Sequence, residues 1–180
     1  MTRRLIPVDE FTAPIHKLWS DQWFLLTCGD HTAAHFNAMT VAWGSMGIMW
    51  GKPFVQVVVR PVRYTYEFME RYDSFTVNAF APEYKRALLK LGSTSGRDGD
   101  KIALSGLTPV ASSLVAAPSF AEAELTIECR KIYWQDFDPT HFLDPSIESN
   151  YAQKDYHRAY FGEVLAIWGV PGKWAQPTGG

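Results

Sequence analysis

Between Ala123 and Arg130 the chain alternates without a break. Ala123, Leu125, Ile127 and Cys129 fall on one side, and Glu124, Thr126, Glu128 and Arg130 on the other. A period of two over eight residues suits a half-buried strand and nothing else in the regular repertoire. Such a strand needs partners to complete its core, and shorter stretches answer it. Gln22 to Cys28 is apolar and aromatic and stops at Gly29-Asp30. Ala38 to Gly44 sets Met39, Val41 and Trp43 against Ala38, Thr40 and Ala42, and Phe75, Val77 and Ala79 alternate with Thr76, Asn78 and Phe80. Phe54 to Val59 is almost wholly apolar, as a strand covered on both faces should be. A last strand is predicted from Tyr160 to Trp168.

Helical periodicity is scarcer. Thr65 to Tyr72 places Phe68, Met69 and Tyr72 on one face, and Pro82 to Leu91 does the same with Tyr84, Ala87, Leu88 and Leu91. A short helix is predicted after Gly96, with Ile102, Ala103 and Leu104 as its inner face. The stretch from Asp136 to Asp155 carries Pro139 and Pro145 among Asp and Ser residues and reads as a long excursion. Six spaced strands with a few short helices predict an antiparallel β-barrel with helical insertions. At 180 residues the chain, 1–180, makes one domain, with about 170–180 as a loose C-terminal tail.

Charge and composition remove several classes. Seventeen Lys and Arg against nineteen Asp and Glu give a net charge of -2, which lacks the basic surplus that nucleic-acid binding needs. No run of 18 apolar residues is present, so no membrane span is expected, and the N-terminus lacks the apolar core of a signal peptide. Two cysteines, Cys28 and Cys129, do not make a disulfide framework, and a reducing cytoplasm is the expected compartment. Trp, Tyr and Phe make up 14% of the chain, enough to fill a β core or to wall a site for a planar ligand.

Two segments carry the residue types of an anion site. Arg60-Pro61-Val62-Arg63-Tyr64-Thr65 lies where an apolar strand ends and a helix begins, with Thr65 as the predicted N-cap. A helix start offers unpaired N–H groups, and Arg60 and Arg63 add planar forks suited to phosphate. The competing reading is that both arginines solvate a strand end and pair with Glu67 or Glu70. Gly92-Ser93-Thr94-Ser95-Gly96-Arg97-Asp98-Gly99-Asp100-Lys101 sets hydroxyls between glycines and ends in cations. It matches neither a P-loop nor a Rossmann glycine pattern, and its alternative is a plain inter-helix loop. A third segment, Asn37 to Gly51, offers Asn37, Thr40 and an apolar wall of Trp43, Met46, Met49 and Trp50, which equally fits a core.

Cys28, His31 and His35 have tolerable metal-ligand spacing but no evident fourth ligand, so no metal is expected. No nucleophile motif and no carboxylate pair stands out. His141 and His157 read as loop histidines, free to act near a ligand.

Taken in order, these blocks resemble the flavoredoxin group of the flavin reductase-like family. The likeness rests on Asn37 to Gly44, Met49 to Pro53, Arg60 to Phe68, Gly92 to Lys101 and Ser105-Gly106-Leu107-Thr108-Pro109. Glu128 to Lys131, Asp138-Pro139 with His141-Phe142, and Asp155-Tyr156-His157-Arg158 continue it. It spans about 23–168. The resemblance implies a Greek-key, FMN-binding split barrel that pairs as a homodimer. Asn37, Met39, Thr40, Val41 and Trp43 would line the flavin ring. Arg60, Arg63, Tyr64, Thr65, Ser93, Ser95 and Lys101 would hold the ribityl phosphate or its surroundings, and Phe161 would close on the ring from another direction. The implied activity is hydride transfer from NADH or NADPH to FMN, then to free flavin, a metal complex or a partner protein. The alternatives are an electron carrier that does not oxidise NAD(P)H, and a non-redox module for a phosphorylated ligand. The segment Asp30-His31-Thr32-Ala33-Ala34-His35-Phe36 is richer in histidine than the family pattern leads one to expect.

Overall fold

The computed structural model describes residues 2–175. Ten strands and four α-helices form along them: β1 (Arg4–Leu5), α1 (Ile15–Lys17), β2 (Phe24–Asp30), β3 (His35–Val41), β4 (Gly44–Met49), β5 (Lys52–Val59), α2 (Tyr64–Arg71) and β6 (Ser74–Ala79) come first. Then follow α3 (Lys85–Ser93), α4 (Lys101–Ser105), β7 (Pro109–Val110), β8 (Ser119–Phe120), β9 (Leu125–Asp136) and β10 (Arg158–Gly169). A wide helical turn over Leu18–Gln22 extends α1. The main sheet runs β3-β2-β6-β9-β10-β5-β4, with β1 added beside β10, and all its pairings are antiparallel. Its two edge strands, β3 and β4, follow each other in the chain. The predicted antiparallel barrel architecture with helical insertions is therefore the observed one.

Alternation divides the core in two. Phe24, Leu26, Val57, Phe75, Ile127 and Tyr160 gather on the inner face, while Leu25 points outward with Phe80, Leu88, Leu91, Ile102 and Phe120 under α3 and α4. Neighbouring residues of one strand thus feed different clusters, so this strand is buried on both faces.

Four expectations change. The stretch Ala38–Gly44 is not one strand: the chain turns at Ala42-Trp43, and Gly44 opens a second strand that sequence reading left as wall. A Cβ at Gly44 would fall 2.4 Å from the Gln56 carbonyl and from the Trp19 ring, which explains why glycine marks the turn. In α4 the buried residues are Lys101 and Ile102, and Leu104 is exposed, because the helix is only five residues long and shows one narrow side to the core. Thr65 is not an N-cap. Arg63 holds that place in extended backbone, and Thr65 is buried inside the first turn, where its hydroxyl accepts a hydrogen bond from Asn37 (2.8 Å). The tail is docked as far as residue 175: Trp174 lies in the inner core, and the Thr12 N–H donates to its carbonyl. Residues 176–180 of that expected tail lie outside the described part.

Candidate functional site

The edge where β3 meets the α2 start and the loop after α3 is hollow. A cleft of about 420 Å³ is walled by Met39 to Trp43 on one side and by Val58, Arg60, Val62 and Arg63 on another. Asp155 and His157, returning from the excursion, form its third side. A smaller cavity of about 190 Å³ adjoins it, the two sharing Met39, Val62 and Arg63. Tyr64, Thr65, Ser93 to Ser95, Asp98 and Lys101 complete the smaller one.

Two elements aim cations into this small cavity. The α4 start buries Lys101, whose ammonium donates to the carbonyls of Leu91 (2.9 Å) and Thr94 (3.1 Å). Asp100 caps α4 by accepting from the N–H groups of Ile102 and Ala103, which fixes where Lys101 leaves the helix. Arg63 donates to the Gly92 carbonyl at 2.5 Å. Neither cation forms an ion pair among the described residues. Burial first, and Arg63 second, push the Lys101 amine down to about 8. A buried lysine beside an arginine is held in a field that an anion would relieve.

Arg60 is spent differently. It grips Asp155 with two contacts (3.0 and 3.1 Å), donates to the Asn150 carbonyl and lies over the Tyr151 ring. The pairing with Glu67 or Glu70 is therefore not made by Arg60 or Arg63. Glu67 takes Arg97, and Glu70 takes Arg158.

Most of the residues picked from sequence converge here. Met39, Thr40, Val41, Trp43, Arg60 and Arg63 line the cleft, and Tyr64, Thr65, Ser93, Ser95 and Lys101 line the adjoining cavity. Some are already engaged: Thr40 Oγ1 donates to the Leu88 carbonyl (2.5 Å), and Ser93 Oγ to that of Leu89 (2.8 Å). Asn37 stands behind the site, supporting Thr65 rather than lining either hollow. Phe161 is not brought to it. It packs with Trp50, Phe54 and Tyr133, on the side of β10 opposite buried Tyr160.

Sequence reading missed Val58, Val62, Asp98 and Asp155, and it took His157 for a loop histidine. His157 is buried, its Nδ1 2.9 Å from the Tyr151 hydroxyl and its ring 5.2 Å from that of Trp43. Burial, then Arg60, push it down to about 4, so the imidazole is neutral. The Arg60–Asp155 pair joins residues 95 apart in the chain, and no local pattern announces it.

The Cys28, His31 and His35 spacing does not assemble. Cys28 is buried with its thiol on the carbonyls of Phe68 and Ser74, while His35 meets the Tyr72 hydroxyl at 2.6 Å. Among the described residues no group of three or more metal-binding side chains exists, and no helix is long and apolar enough to cross a membrane.

Residues 20–176 match the family described as flavin reductase like domain, and the chain belongs to that family. Its split-barrel architecture is shared with solved structures. Flavoredoxin of Desulfovibrio vulgaris (Miyazaki F) is 25% identical with a TM-score of 0.64, over 83% of this chain and 69% of that one. Flavoredoxin from Methanosarcina acetivorans is 23% identical with a TM-score of 0.66, over the same shares. An FMN-binding domain of a flavin reductases-like enzyme from Shewanella baltica OS155 is 18% identical with a TM-score of 0.68, over 93% and 77%. No curated protein matches significantly.

Proposed function

We propose that this protein binds FMN, takes a hydride from NADH or NADPH and passes the electrons to a second acceptor, whether free flavin, a metal complex or a partner protein. The observation that carries the reading is the pair Arg63 and Lys101, two cations without ion-pair partners facing a small polar cavity that opens into a larger cleft. The residues fit the cofactor. Cations, the Thr94 and Ser95 hydroxyls and the N–H groups of Tyr64 and Thr65 at the start of α2 suit a phosphate. Gly92 and Gly96 let the segment around the end of α3 pack close against β3: a Cβ at Gly92 would come 3.1 Å from the Thr40 side chain, and one at Gly96 would come 2.5 Å from Asn37 Oδ1.

When bound, FMN supplies the two-electron redox chemistry. The chain supplies the setting. Met39, Val41 and Val58 present apolar surface, and half-exposed Trp43 leaves a side open to a second reactant. As an edge strand β3 pairs only with β2, so alternate N–H groups face away from the sheet and can stabilise negative charge in the cleft. His157, neutral and tied to Tyr151, serves as an uncharged polar wall.

A second reading, an electron carrier that does not oxidise NAD(P)H itself, is favoured by the likeness to the Desulfovibrio flavoredoxin. Anaerobic absorbance separates the two. Bound FMN that bleaches with NADH or NADPH supports the reductase, and bleaching only with a partner reductase supports the carrier. Failure to take up FMN overturns both. We further propose a homodimer in the cytoplasm. Exposed Ile48 and Trp50 beside Tyr133 support the first part, and two free, buried cysteines are compatible with the second. Light scattering that returns a 20.3 kDa particle would refute the dimer.

A further inference from the structure

The stretch 84–97 carries Lys85, Arg86, Lys90 and Arg97 and no acid, in a chain whose net charge is -2. A local excess of one sign against the overall balance creates a field at that face. Two of these cations are spent. Lys85 donates to the Asp21 carbonyl and lies over the Trp23 ring, and Arg97 pairs with Glu67 and donates to the Val62 carbonyl. Arg86 and Lys90 are exposed and form no ion pair among the described residues. Helical spacing lines them up: Arg86, Leu89, Lys90 and Ser93 stand at i, i+3, i+4 and i+7 of α3, and all are exposed. Leu89, 51% exposed, puts an apolar centre beside the two cations. This face ends at the candidate site, because Ser93 lines the small cationic cavity. The Leu88 carbonyl, on the same helix, holds Thr40 of the cleft. A body resting on α3 would therefore lie about one helix diameter, roughly 10 Å, from the cleft wall.

We infer that this face of α3 docks an acidic protein that carries one electron at a time. The inference rests on the reading of the cleft as a flavin site and names the class of partner that reading leaves open. Arg86 and Lys90 supply the charge complementarity that steers such a partner, and Leu89 supplies the apolar contact. Electron-transfer encounters bury little surface, so a face of this size is enough. A small anion is held by donors that converge on one point, whereas two cations one turn apart on an open helix face suit a broad acidic surface. Each reduced carrier loses one electron, two such transfers reduce one flavin, and the accompanying protons come from water.

The probe is a plant-type ferredoxin, an acidic one-electron carrier. NMR of the flavin-free protein titrated with oxidised ferredoxin maps the docking face, and stopped-flow reduction of the FMN-loaded protein by reduced ferredoxin gives the rate. The expected result is broadening of the Arg86 to Lys90 amides at low salt that vanishes at about 0.5 M salt. The second-order rate should fall roughly tenfold or more in Arg86→Glu/Lys90→Glu and stay within about twofold in Arg4→Glu, an exposed cation on β1. FMN affinity should be unchanged in both. Broadening confined to other elements, or a rate indifferent to salt and to the double variant, overturns the docking face and leaves the FMN reading standing. A matching loss in the FMN association rate would mean that the face steers small anions, which overturns it too. Failure of the wild type to take up FMN overturns the flavin reading, and the electron-transfer role with it, even where α3 still binds the ferredoxin.

Discussion

Arg60 and Arg63 sit one helical turn apart in sequence and border the same cleft, yet their surroundings differ. Arg60 is saturated: Asp155, the Asn150 carbonyl and the Tyr151 ring take its fork and its face. Arg63 has one carbonyl partner at Gly92 and otherwise faces Lys101 across a cavity. The first arginine holds the 137–157 excursion against the barrel. The second stands beside the like charge of Lys101 with no ion-pair partner among the described residues. Residue type and spacing do not separate these two duties; the long-range partner does.

The largest test of that contrast is substitution. Arg63→Ala and Lys101→Met should each weaken FMN binding by about 1.5–3 kcal/mol, the value of a hydrogen bond to a charged group, or roughly 10- to 100-fold in Kd. Asp155→Asn, which frees Arg60, should leave that Kd within about threefold. Equal losses in all three, read by fluorescence titration, would abolish the distinction. Next comes Gly96→Ala, whose Cβ would press on Asn37 Oδ1 and, at 2.8 Å, on the Tyr64 ring. It should cost roughly 1–3 kcal/mol in chemical denaturation, as overpacking does, and an unchanged midpoint would show that the loop gives way freely.

The pH dependence sharpens the comparison further. Lys101 titrates near 8 in the folded chain, below its unfolded value, so the fold disfavours its charged form. The unfolded chain therefore binds more protons from about pH 8 to 10, and this group's contribution makes the flavin-free protein more stable as pH rises through that window. FMN affinity should run the opposite way, falling several-fold per pH unit above about 8, because the ammonium is lost while the phosphate stays a dianion. In Lys101→Met this fall should flatten; a fall that persists would assign it to another group. The smallest effect is on the clamp side. Asp155→Asn should cost about 1 kcal/mol of stability and move the His157 titration further down, since Asp155 raises it and Arg60 lowers it. An upward move by NMR would mean that the clamp does not shape the His157 site.

Sequence made the sheet legible where alternation was local, as in Leu125 to Arg130, and failed where a turn depended on distant contacts. β3 ends at Val41 and Gly44 opens β4, where Trp19 and Gln56 leave no room for a side chain, and neither is near in sequence. The phosphate-type residues were visible because arginines, hydroxyls and glycines cluster in two short segments. That they meet in one cavity is a consequence of α2 and α3 flanking β3. His157 was misread because its burial comes from Tyr151 and Trp43, reached by folding back the excursion. Phe161 was placed by family resemblance alone, and in this chain it joins an aromatic group away from the cleft.

The central claim is that Arg63 and Lys101 hold the phosphate of a flavin. Comparing FMN with riboflavin, which lacks only that phosphate, tests it most directly. The account predicts that FMN binds on the order of 100-fold tighter to wild type, the sum of two charge-assisted contacts, and that Lys101→Met removes at least tenfold of the difference. Equal affinity for the two flavins in wild type would contradict it.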